Sequence, residues 1–292
     1  MRLFWAVLAV WAVSPSANAA PPSRLDMIRA RGTLQCGLAP AMPGFSIVQD
    51  ARHARGLDAD LCRATAAAIF GTADAARFVA LETVDQFLAD DGIDLVFHGL
   101  TAKSVREARW GVSFAATSFD DGQAIVVRSD GPVRTAAQLT GQSVCAEAGT
   151  IFAGRLARVR HDIRVLALPD AMSVRRAFLA GRCAGWSWDA SSLFSSLAGP
   201  DAGRYRILPG RFSHEPLAPI VRRSDGELAA VLSATIGVLR SAEMGAVAEP
   251  QVAGLSAGWS RAVLTRFRDY GALYRLNLTG AERVAMDRFI PD

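Results

Sequence analysis

The chain has few of the features that point to a nucleic-acid or membrane partner. Lysine occurs once, as Lys103, and the 32 basic residues barely outnumber the 28 acidic ones, without a run of like charges. Proteins that bind nucleic acid concentrate basic residues in such runs or patches, so nucleic-acid binding is poorly supported. Beyond the N-terminal apolar segment, no stretch reaches the roughly 18 apolar residues without a charge that a membrane-spanning helix needs.

Catalytic, metal and cofactor motifs are also missing. The four histidines are His53, His98, His161 and His214, and none lies in H-E-x-x-H or beside a G-x-S-x-G nucleophile motif. The glycine fingerprints of ATP-binding and dinucleotide-binding loops do not occur. Nothing in the sequence therefore requires an enzyme, and we expect no cofactor and no metal site.

The first residues have the order of a secretory signal peptide. Arg2 precedes an unbroken apolar run from Leu3 to Val13, and the small residues Ala17-Asn18-Ala19 follow. A positive start, a short apolar segment and a small-residue cleavage site are typical of exported proteins. We therefore predict that residues 1–19 are a leader, cleaved near Ala19, and that the mature protein is secreted.

The four cysteines, Cys36, Cys62, Cys145 and Cys183, are far apart in the sequence. They form no C-x-x-C and have no histidines at zinc-ligand spacing, which argues against a zinc site. An even number of cysteines in an oxidising compartment favours disulfides. Three pairings are possible, and pairing neighbours would place one disulfide in each half of the chain; four free buried thiols are the alternative.

Apolar spacing predicts strands and helices in alternation. Helices are predicted over 56–70 and 225–242, with further helix from there to the C-terminus, and strands over 93–97 and 185–188. This alternation is typical of an α/β fold with a largely parallel sheet. The length suits two lobes of roughly 100 to 150 residues each.

Polar residues at strand ends and helix starts suit the capture of a zwitterion. Arg106, with Thr101 nearby, follows the strand over 93–97 and has the planar cation that binds a carboxylate through two parallel bonds. Gly149 and Thr150 open a helix whose first N–H groups favour the same carboxylate. Asp189 ends a strand and suits the ammonium group. Each has a plainer interpretation, as a surface residue or a helix cap, but all three groups lie where α/β proteins bind ligands.

Several segments, in their order and spacing, carry a resemblance to a known family. They are RGTLQCGLAPAMPGFS at 31–46, GLDADLCRATAAAIFG at 56–71, T-x-x-x-x-R at 101–106, VSF and DDGQAIVVR within 112–128, LTGQSVCAEAGT at 139–150, AGRCAGWSWDASSLFS at 180–195, HEPLAPIVRR at 214–223 and, more weakly, DYGALYRLN at 269–277. The sequence resembles the periplasmic solute-binding proteins of family 3, and most of all their general L-amino-acid binding members. All four cysteines fall in these segments, where that subfamily also carries cysteine.

The resemblance implies the two-lobed periplasmic binding protein fold of type II. Residues 20–119 and 216–292 would form lobe 1 and residues 120–215 lobe 2, with hinge strands near 119–124 and 212–216. It implies a periplasmic monomer that binds an amino acid or related small carboxylate. The implied partner is a membrane ABC permease, to which the protein delivers its ligand.

The resemblance also implies a role for each matching residue. Arg106 and Thr101 would bind the ligand carboxylate together with the helix start at Thr150. Asp189 would bind the α-amino group, and Phe45 falls where an aromatic ring commonly packs against the ligand.

Several positions depart from the family pattern, among them Lys103 and two tryptophans. Lys103 stands where a second threonine is usual, and either binds a second acidic group of the ligand or points to solvent. Trp186 and Trp188 replace smaller residues just before Asp189, either as core residues or as residues that stack on the ligand. Trp188, next to Asp189, would then narrow the pocket.

These departures keep two other functions open. One is a periplasmic accessory or sensory partner protein with a divergent cleft. The other is a small-molecule dehydratase on the same scaffold, with Glu147 as its candidate acid or base.

Overall fold

The structure is a computed structural model that describes residues 21–246, 249–280, 283–286 and 288. The predicted leader, residues 1–19, lies outside the described residues. No helix in the described part is long and apolar enough to cross a membrane.

The helices and strands are numbered in chain order. The helices are α1 (Arg24–Arg31), α2 (Leu57–Phe70), α3 (Val84–Ala89), α4 (Ser104–Trp110), α5 (Ile151–Val159), α6 (Ala171–Leu179), α7 (Ala190–Ser196), α8 (Gly226–Glu243), α9 (Trp259–Phe267) and α10 (Tyr270–Leu278). The strands are β1 (Leu34–Leu38), β2 (Ala41–Met42), β3 (Ser46–Val48), β4 (Ala54–Arg55), β5 (Ala76–Ala80), β6 (Leu95–Phe97), β7 (Val112–Phe114), β8 (Phe119–Asp121), β9 (Gln123–Arg128), β10 (Ser143–Glu147), β11 (Arg164–Leu168), β12 (Gly185–Asp189), β13 (Tyr205–Ile207), β14 (Glu215–Leu217) and β15 (Ile220–Arg222).

Two α/β sheets form the two lobes, and both are mixed, whereas the alternating pattern predicts a largely parallel sheet. The lobe 1 sheet has the order β5-β1-β6-β15-β7, with β1 parallel to β5 and β6 and with β15 antiparallel to its neighbours. The lobe 2 sheet has the order β11-β10-β12-β9-β13, in which β10 pairs parallel to β11 and β12. In both sheets the parallel strands end at one edge, and the loops that follow them can converge on a ligand.

Two antiparallel strands connect the lobes. β8 pairs with β14, with Asp121 opposite Glu215 and Phe119 opposite Leu217. These strands lie close to the predicted crossings near 119–124 and 212–216. Rotation about such a pair is the usual way in which two lobes close on a ligand.

The chain crosses between the lobes again near its C-terminus. Ala285 forms a parallel bridge with Arg206 of β13, and the Ile207 N–H donates to the Ala285 carbonyl across 2.9 Å. The resemblance implies that residues 216–292 belong to lobe 1, and this bridge brings part of that segment against a lobe 2 strand. The reason is physical: β13 is an edge strand, and the returning chain pairs with its open side.

The predicted helix from residue 242 to the C-terminus is also interrupted. Residues 249–258 are irregular, and the chain becomes helical again only in α9 and α10. Pro250, Gly254 and Gly258 lie in this stretch, and the two glycines take left-handed backbone angles. The helical spacing of the sequence does not detect such a break.

Two disulfides join neighbouring cysteines. Cys36 of β1 bonds to Cys62 of α2, and Cys145 of β10 bonds to Cys183 just before β12. This is the neighbour pairing among the three possibilities, with one disulfide in each lobe. Each bond ties a central strand to the next element that packs on it.

Candidate ligand-binding site

The lobe 1 side of the site begins where β6 ends. Thr101 forms an isolated antiparallel bridge with Leu217 of the hinge, and the Ala102 N–H donates to the Pro216 carbonyl across 2.9 Å. The loop is therefore fixed directly on hinge strand β14. A rotation about the hinge would carry this loop with it.

Arg106 lies in the first turn of α4, beside that loop. Its Nη1 donates to the Thr101 carbonyl across 2.9 Å, and its guanidinium carbon lies 5.8 Å from the centre of the Trp110 ring. Both contacts orient the half-buried guanidinium and leave other N–H groups for a ligand. The structure therefore brings Thr101 and Arg106 together, as predicted.

Lys103 precedes Ser104 at the start of α4 and is exposed. It has no hydrogen bond or ion pair of its side chain within the described part of the chain. Its positive charge is nevertheless among the influences that lower the pKa of Asp189 in lobe 2.

The lobe 2 side contains the predicted helix start. Gly149 has a left-handed φ of 74°, which turns the chain from β10 into α5. The Thr150 hydroxyl donates back to the Glu147 carbonyl across 2.6 Å, and among the described residues no side chain caps the first turn of α5. The first N–H groups of this helix thus keep their capacity to bind an anion.

Asp189 ends β12, opposite Gln123 of β9. Burial, followed by the negative charges of Asp121 and Glu215, raises the pKa of Asp189 to about 7, although Arg155 and Lys103 act in the opposite direction. Its Oδ1 is buried and has no hydrogen-bond partner among the described residues. An ionised carboxylate in that position lacks a donor, which a ligand ammonium group would supply.

A polar network that the sequence did not indicate lies behind Asp189. Arg155 donates from Nη1 to Glu215 across 3.0 Å and to Gln123 across 3.4 Å, and the Ser213 hydroxyl donates to Glu215 across 2.8 Å. Gln123 and Glu215 fall inside segments that carry the family resemblance. Only their contact with Arg155 in the folded chain reveals their proximity to Asp189.

A second carboxylate of this network is Asp121 in the hinge. Its oxygens accept from the Gly122 N–H across 2.8 Å, from the Ser191 N–H across 3.2 Å and from the Ser191 hydroxyl. Burial raises the pKa of Asp121 despite these bonds. Asp121 already has donors, so among these two carboxylates Asp189 is the one left for a ligand.

Phe45 lies in the core instead of facing the gap. It is 1% exposed, and its ring packs edge-on against Phe119 at 5.0 Å and Phe194 at 6.4 Å. Almost no ring surface is open in this arrangement of the lobes, and the contact of Phe45 with a ligand stays a prediction. Met42 lies nearby, with its thioether sulfur 3.6 Å from where a Cβ would lie on Gly99, just beyond β6.

The two tryptophans pack on each other. Alternation along β12 puts Trp186 and Trp188 on one face and Asp189 on the other. Trp186 is 2% exposed, and its ring lies 5.7 Å from the Trp188 ring and 6.2 Å from the Phe178 ring. Trp188 thus supports the strand behind Asp189, which favours the core interpretation over a narrowed pocket.

No metal centre accompanies these residues. Within the described ranges, no group of three or more His, Cys, Asp or Glu side chains is arranged to hold a metal ion. The donors and acceptors of the site are those that bind an organic ion: a guanidinium group, helix N–H groups and one buried carboxylate.

Comparison with known proteins agrees with this geometry. The model of the bacterial extracellular solute-binding proteins, family 3, matches residues 34–249. The chain belongs to that family.

Curated relatives of this solute-binding protein include two amino-acid-binding proteins. The general L-amino acid-binding periplasmic protein AapJ of Rhizobium johnstonii is 26% identical, with 95% of this chain and 91% of the relative covered. The glutamate/glutamine/aspartate/asparagine-binding protein BztA of Rhodobacter capsulatus is 32% identical over 78% of this chain and 69% of its own length. These relatives are binding proteins.

Solved structures show the same architecture. A periplasmic binding protein from Brucella ovis with glutathione bound has a TM-score of 0.67 and 26% identity, covering 89% of this solute-binding protein and 92% of that chain. An ancestral amino-acid-binding protein that preceded cyclohexadienyl dehydratase has a TM-score of 0.53 at 20% identity, covering 88% and 99% respectively. The second likeness shows the fold alone.

Proposed function

We propose that this solute-binding protein captures an amino acid, or a closely related small carboxylate with an amino group, and delivers it to an ABC importer. The observation that carries the proposal is the buried Oδ1 of Asp189, which has no partner among the described residues. A buried carboxylate oxygen without a donor costs free energy, and a ligand ammonium group removes that cost.

The opposite end of the ligand meets lobe 1. Arg106, held by the Thr101 carbonyl, offers its remaining N–H groups to the ligand carboxylate, and the Thr101 hydroxyl adds a donor. The N-terminus of α5 offers backbone N–H groups to the same carboxylate from lobe 2. A zwitterion therefore contacts both lobes at once, and these contacts favour the closed arrangement.

The names of the relatives support an amino acid as ligand class. AapJ is a general L-amino acid-binding protein, and BztA binds glutamate, glutamine, aspartate and asparagine. The Brucella ovis protein holds glutathione, a larger molecule that also carries an amino group and carboxylates. Export to the periplasm and a membrane permease as partner belong to the same proposal.

Isothermal titration with a panel of L-amino acids and glutathione tests the proposal. We expect heat for at least one ligand, and a loss of roughly 100-fold or more in affinity for Arg106→Ala and Asp189→Asn, because each removes a charge-assisted bond. Arg109→Ala is the matched control, since Arg109 is exposed on the same helix. Absence of heat for the whole panel, or equal loss in the control, would refute the proposal.

Two ligand analogues, each lacking one of the two charged groups, test the separate roles of Arg106 and Asp189. The N-acetylated form of the best amino acid keeps the carboxylate but loses the ammonium group, and the corresponding amine loses the carboxylate. We expect both to bind at least 100-fold more weakly than the zwitterion, because each leaves one of the two charged residues without its partner. Tight binding of the acetylated form would exclude Asp189 as the ammonium acceptor.

A further inference from the structure

A second cavity lies outside the Arg106–Asp189 site. It has a volume of about 520 Å³ and is lined by Pro43, Gly44, Ile47, Arg55, Gly56, Asp60, Arg63, Ala198, Gly199, Leu276, Asn277 and Arg283. We call it the α10 cavity, because Leu276 and Asn277 of α10 form one wall. Its volume falls in the range of small-molecule pockets. None of the residues assigned above to the amino-acid site lines it.

Both lobes contribute to the α10 cavity. Arg55 and Asp60 belong to lobe 1, whereas Ala198 and Gly199 follow α7 in lobe 2. The lobes touch beside it, where the Ser195 hydroxyl donates to the Pro43 carbonyl across 2.9 Å. A ligand in the α10 cavity would therefore contact both lobes at once, and these contacts would require the lobes to be arranged as they are here.

The charges of the α10 cavity favour an anion. Among the described residues, three arginines and one carboxylate, that of Asp60, line it. Asp60 is already bonded on both oxygens: Oδ1 accepts from Arg63 across 3.0 Å, and Oδ2 accepts from Asn277 across 2.8 Å. The charge of Asp60 is thus balanced by Arg63 in an ion pair, and the described lining as a whole keeps a net positive formal charge.

The arginines differ in what they already contact. Arg63 is fixed, because Nη2 donates to the Ala54 carbonyl across 2.6 Å and the guanidinium carbon lies 4.8 Å from the centre of the Phe78 ring. Arg55 is exposed and has no ion pair or side-chain hydrogen bond within the described ranges. The guanidinium N–H groups of Arg55 are therefore available to a ligand, and strand β4 positions this residue at the edge of the α10 cavity.

The remaining walls are apolar. Pro43, Ile47, Ala198 and Leu276 line the cavity between the charged groups. A bare inorganic ion would not use these surfaces, whereas a carboxylate on a short carbon chain matches both the arginines and the apolar walls. We propose that the α10 cavity is a second binding site, which takes a small organic carboxylate and holds the two lobes together when occupied.

Succinate is the probe for this proposal, with its neutral analogue succinamide as the chemical control. Titrations use the full-length mature protein carrying Arg106→Ala, so that the amino-acid site does not compete. We expect saturable heat with succinate at micromolar to millimolar concentrations, a raised melting temperature, and no heat with succinamide. Absence of succinate binding to both the wild type and Arg106→Ala overturns the proposal.

Two substitutions then locate the site. Arg55→Glu should weaken succinate binding about 10- to 100-fold, because it removes a charge-assisted bond and adds repulsion. Arg52→Glu is the matched control, since it makes the same charge change on an exposed neighbouring residue outside the cavity, and it should leave affinity within about twofold. Equal losses for the two variants would mean non-specific attraction and overturn the proposal.

A third substitution tests the contribution of lobe 2. Ala198→Phe fills the cavity from the lobe 2 side and should also abolish succinate binding, with the melting temperature as the check that the variant folds. Unchanged affinity in Ala198→Phe would overturn the two-lobed site. Loss of succinate binding on Arg106→Ala alone would place succinate in the amino-acid site and refute a second one. A protein that binds succinate but no amino acid would instead refute the proposed function alone.

Discussion

Arg155 of α5 donates a hydrogen bond to Glu215 of hinge strand β14 across 3.0 Å, and it thereby joins a lobe 2 helix to the hinge. Glu215 is 7% exposed, so this ion pair is largely removed from water. In the proposed function, the N-terminus of the same helix binds the ligand carboxylate. The contact therefore fixes the orientation of α5 and balances a negative charge that acts on Asp189.

Removing Arg155 should affect both stability and binding. We expect Arg155→Met to lower the free energy of unfolding by about 1–3 kcal/mol, because Glu215 keeps its charge without its main partner. It should also raise the pKa of Asp189 further, since Arg155 lowers that pKa in the wild type. Chemical denaturation measures the free energy of unfolding, and the pH dependence of ligand affinity measures the pKa of Asp189.

The double variant Arg155→Met/Glu215→Gln is the control for this prediction. It removes the unpaired charge together with its partner, and we expect it to recover most of the lost stability. If the double variant were as unstable as Arg155→Met, the ion pair would not be the cause.

Ligand binding should weaken in acid. Burial and the charges of Asp121 and Glu215 raise the pKa of Asp189 to about 7. An ammonium group binds the ionised carboxylate, so affinity is complete above that pKa and falls by up to about tenfold per pH unit below it. Titration calorimetry across about pH 5 to pH 9, in two buffers of different ionisation enthalpy, measures this fall and the accompanying proton release.

Glu215→Gln provides the matched comparison for the pH profile. It removes one of the charges that raise the pKa of Asp189, so the midpoint of the profile should move to lower pH. A wild-type affinity that stays constant from pH 8 down to about pH 5 would contradict the role of Asp189.

Asp58 should limit stability at high pH. It lies 4% exposed in the first turn of α2, and burial raises its pKa from 3.8 to about 8. Between these two values the folded state holds a proton that the unfolded state has lost, so stability falls as pH rises from about 4 to about 8. Asp58→Asn should remove this slope and stabilise the protein more at pH 8 than at pH 5.

Asp85→Asn is the control for Asp58, because Asp85 occupies the corresponding position of α3 and is exposed. We expect no comparable change in slope for it. Urea midpoints of the three proteins at about pH 5 and about pH 8 decide the matter. An Asp58→Asn protein that is less stable than the wild type at pH 8 would show that the carboxylate is ionised and stabilising.

Each disulfide should contribute to stability through the loop that it closes. Cys145 and Cys183 are 38 residues apart, and Cys36 and Cys62 are 26 apart. In the chain-entropy model such loops are each worth about 3–4 kcal/mol. We expect Cys145→Ser/Cys183→Ser to lower the free energy of unfolding by about that amount, and dithiothreitol to destabilise this variant less than the wild type, because only one bond remains. Equal sensitivity to dithiothreitol would contradict this expectation.

The sequence predicted the part of the site that follows strand ends. Thr101 and Asp189 come directly after or at the end of buried strands, and the edge where parallel strands end is the usual place for a ligand. The sequence alone left three cysteine pairings open, and the structure shows the neighbour pairing. The positions at strand ends and the alternation of strands and helices rest on local patterns. These features can be predicted from the sequence because each depends only on residue spacing within one segment.

The features that the sequence missed depend on contacts between distant segments. Arg155 and Glu215 are 60 residues apart, and nothing in either segment indicates that they meet. Phe45 is aromatic and near the site, but three-dimensional packing against Phe119 and Phe194 takes its ring into the core. Met42, at the end of β2, lies beside Gly99. Only the folded structure shows that the Phe45 ring is buried and that Met42 lies beside Gly99.

The central claim is that Arg106 and Asp189 together hold a zwitterion. Mass spectrometry of small molecules released from the denatured protein, after purification from a periplasm without added ligand, tests it most directly. We expect an amino acid, or a small molecule with both an amino group and a carboxylate, at close to one per protein in the wild type and at trace levels in Arg106→Ala and Asp189→Asn. A released ligand that lacks either group, or one retained equally by both variants, would contradict the claim.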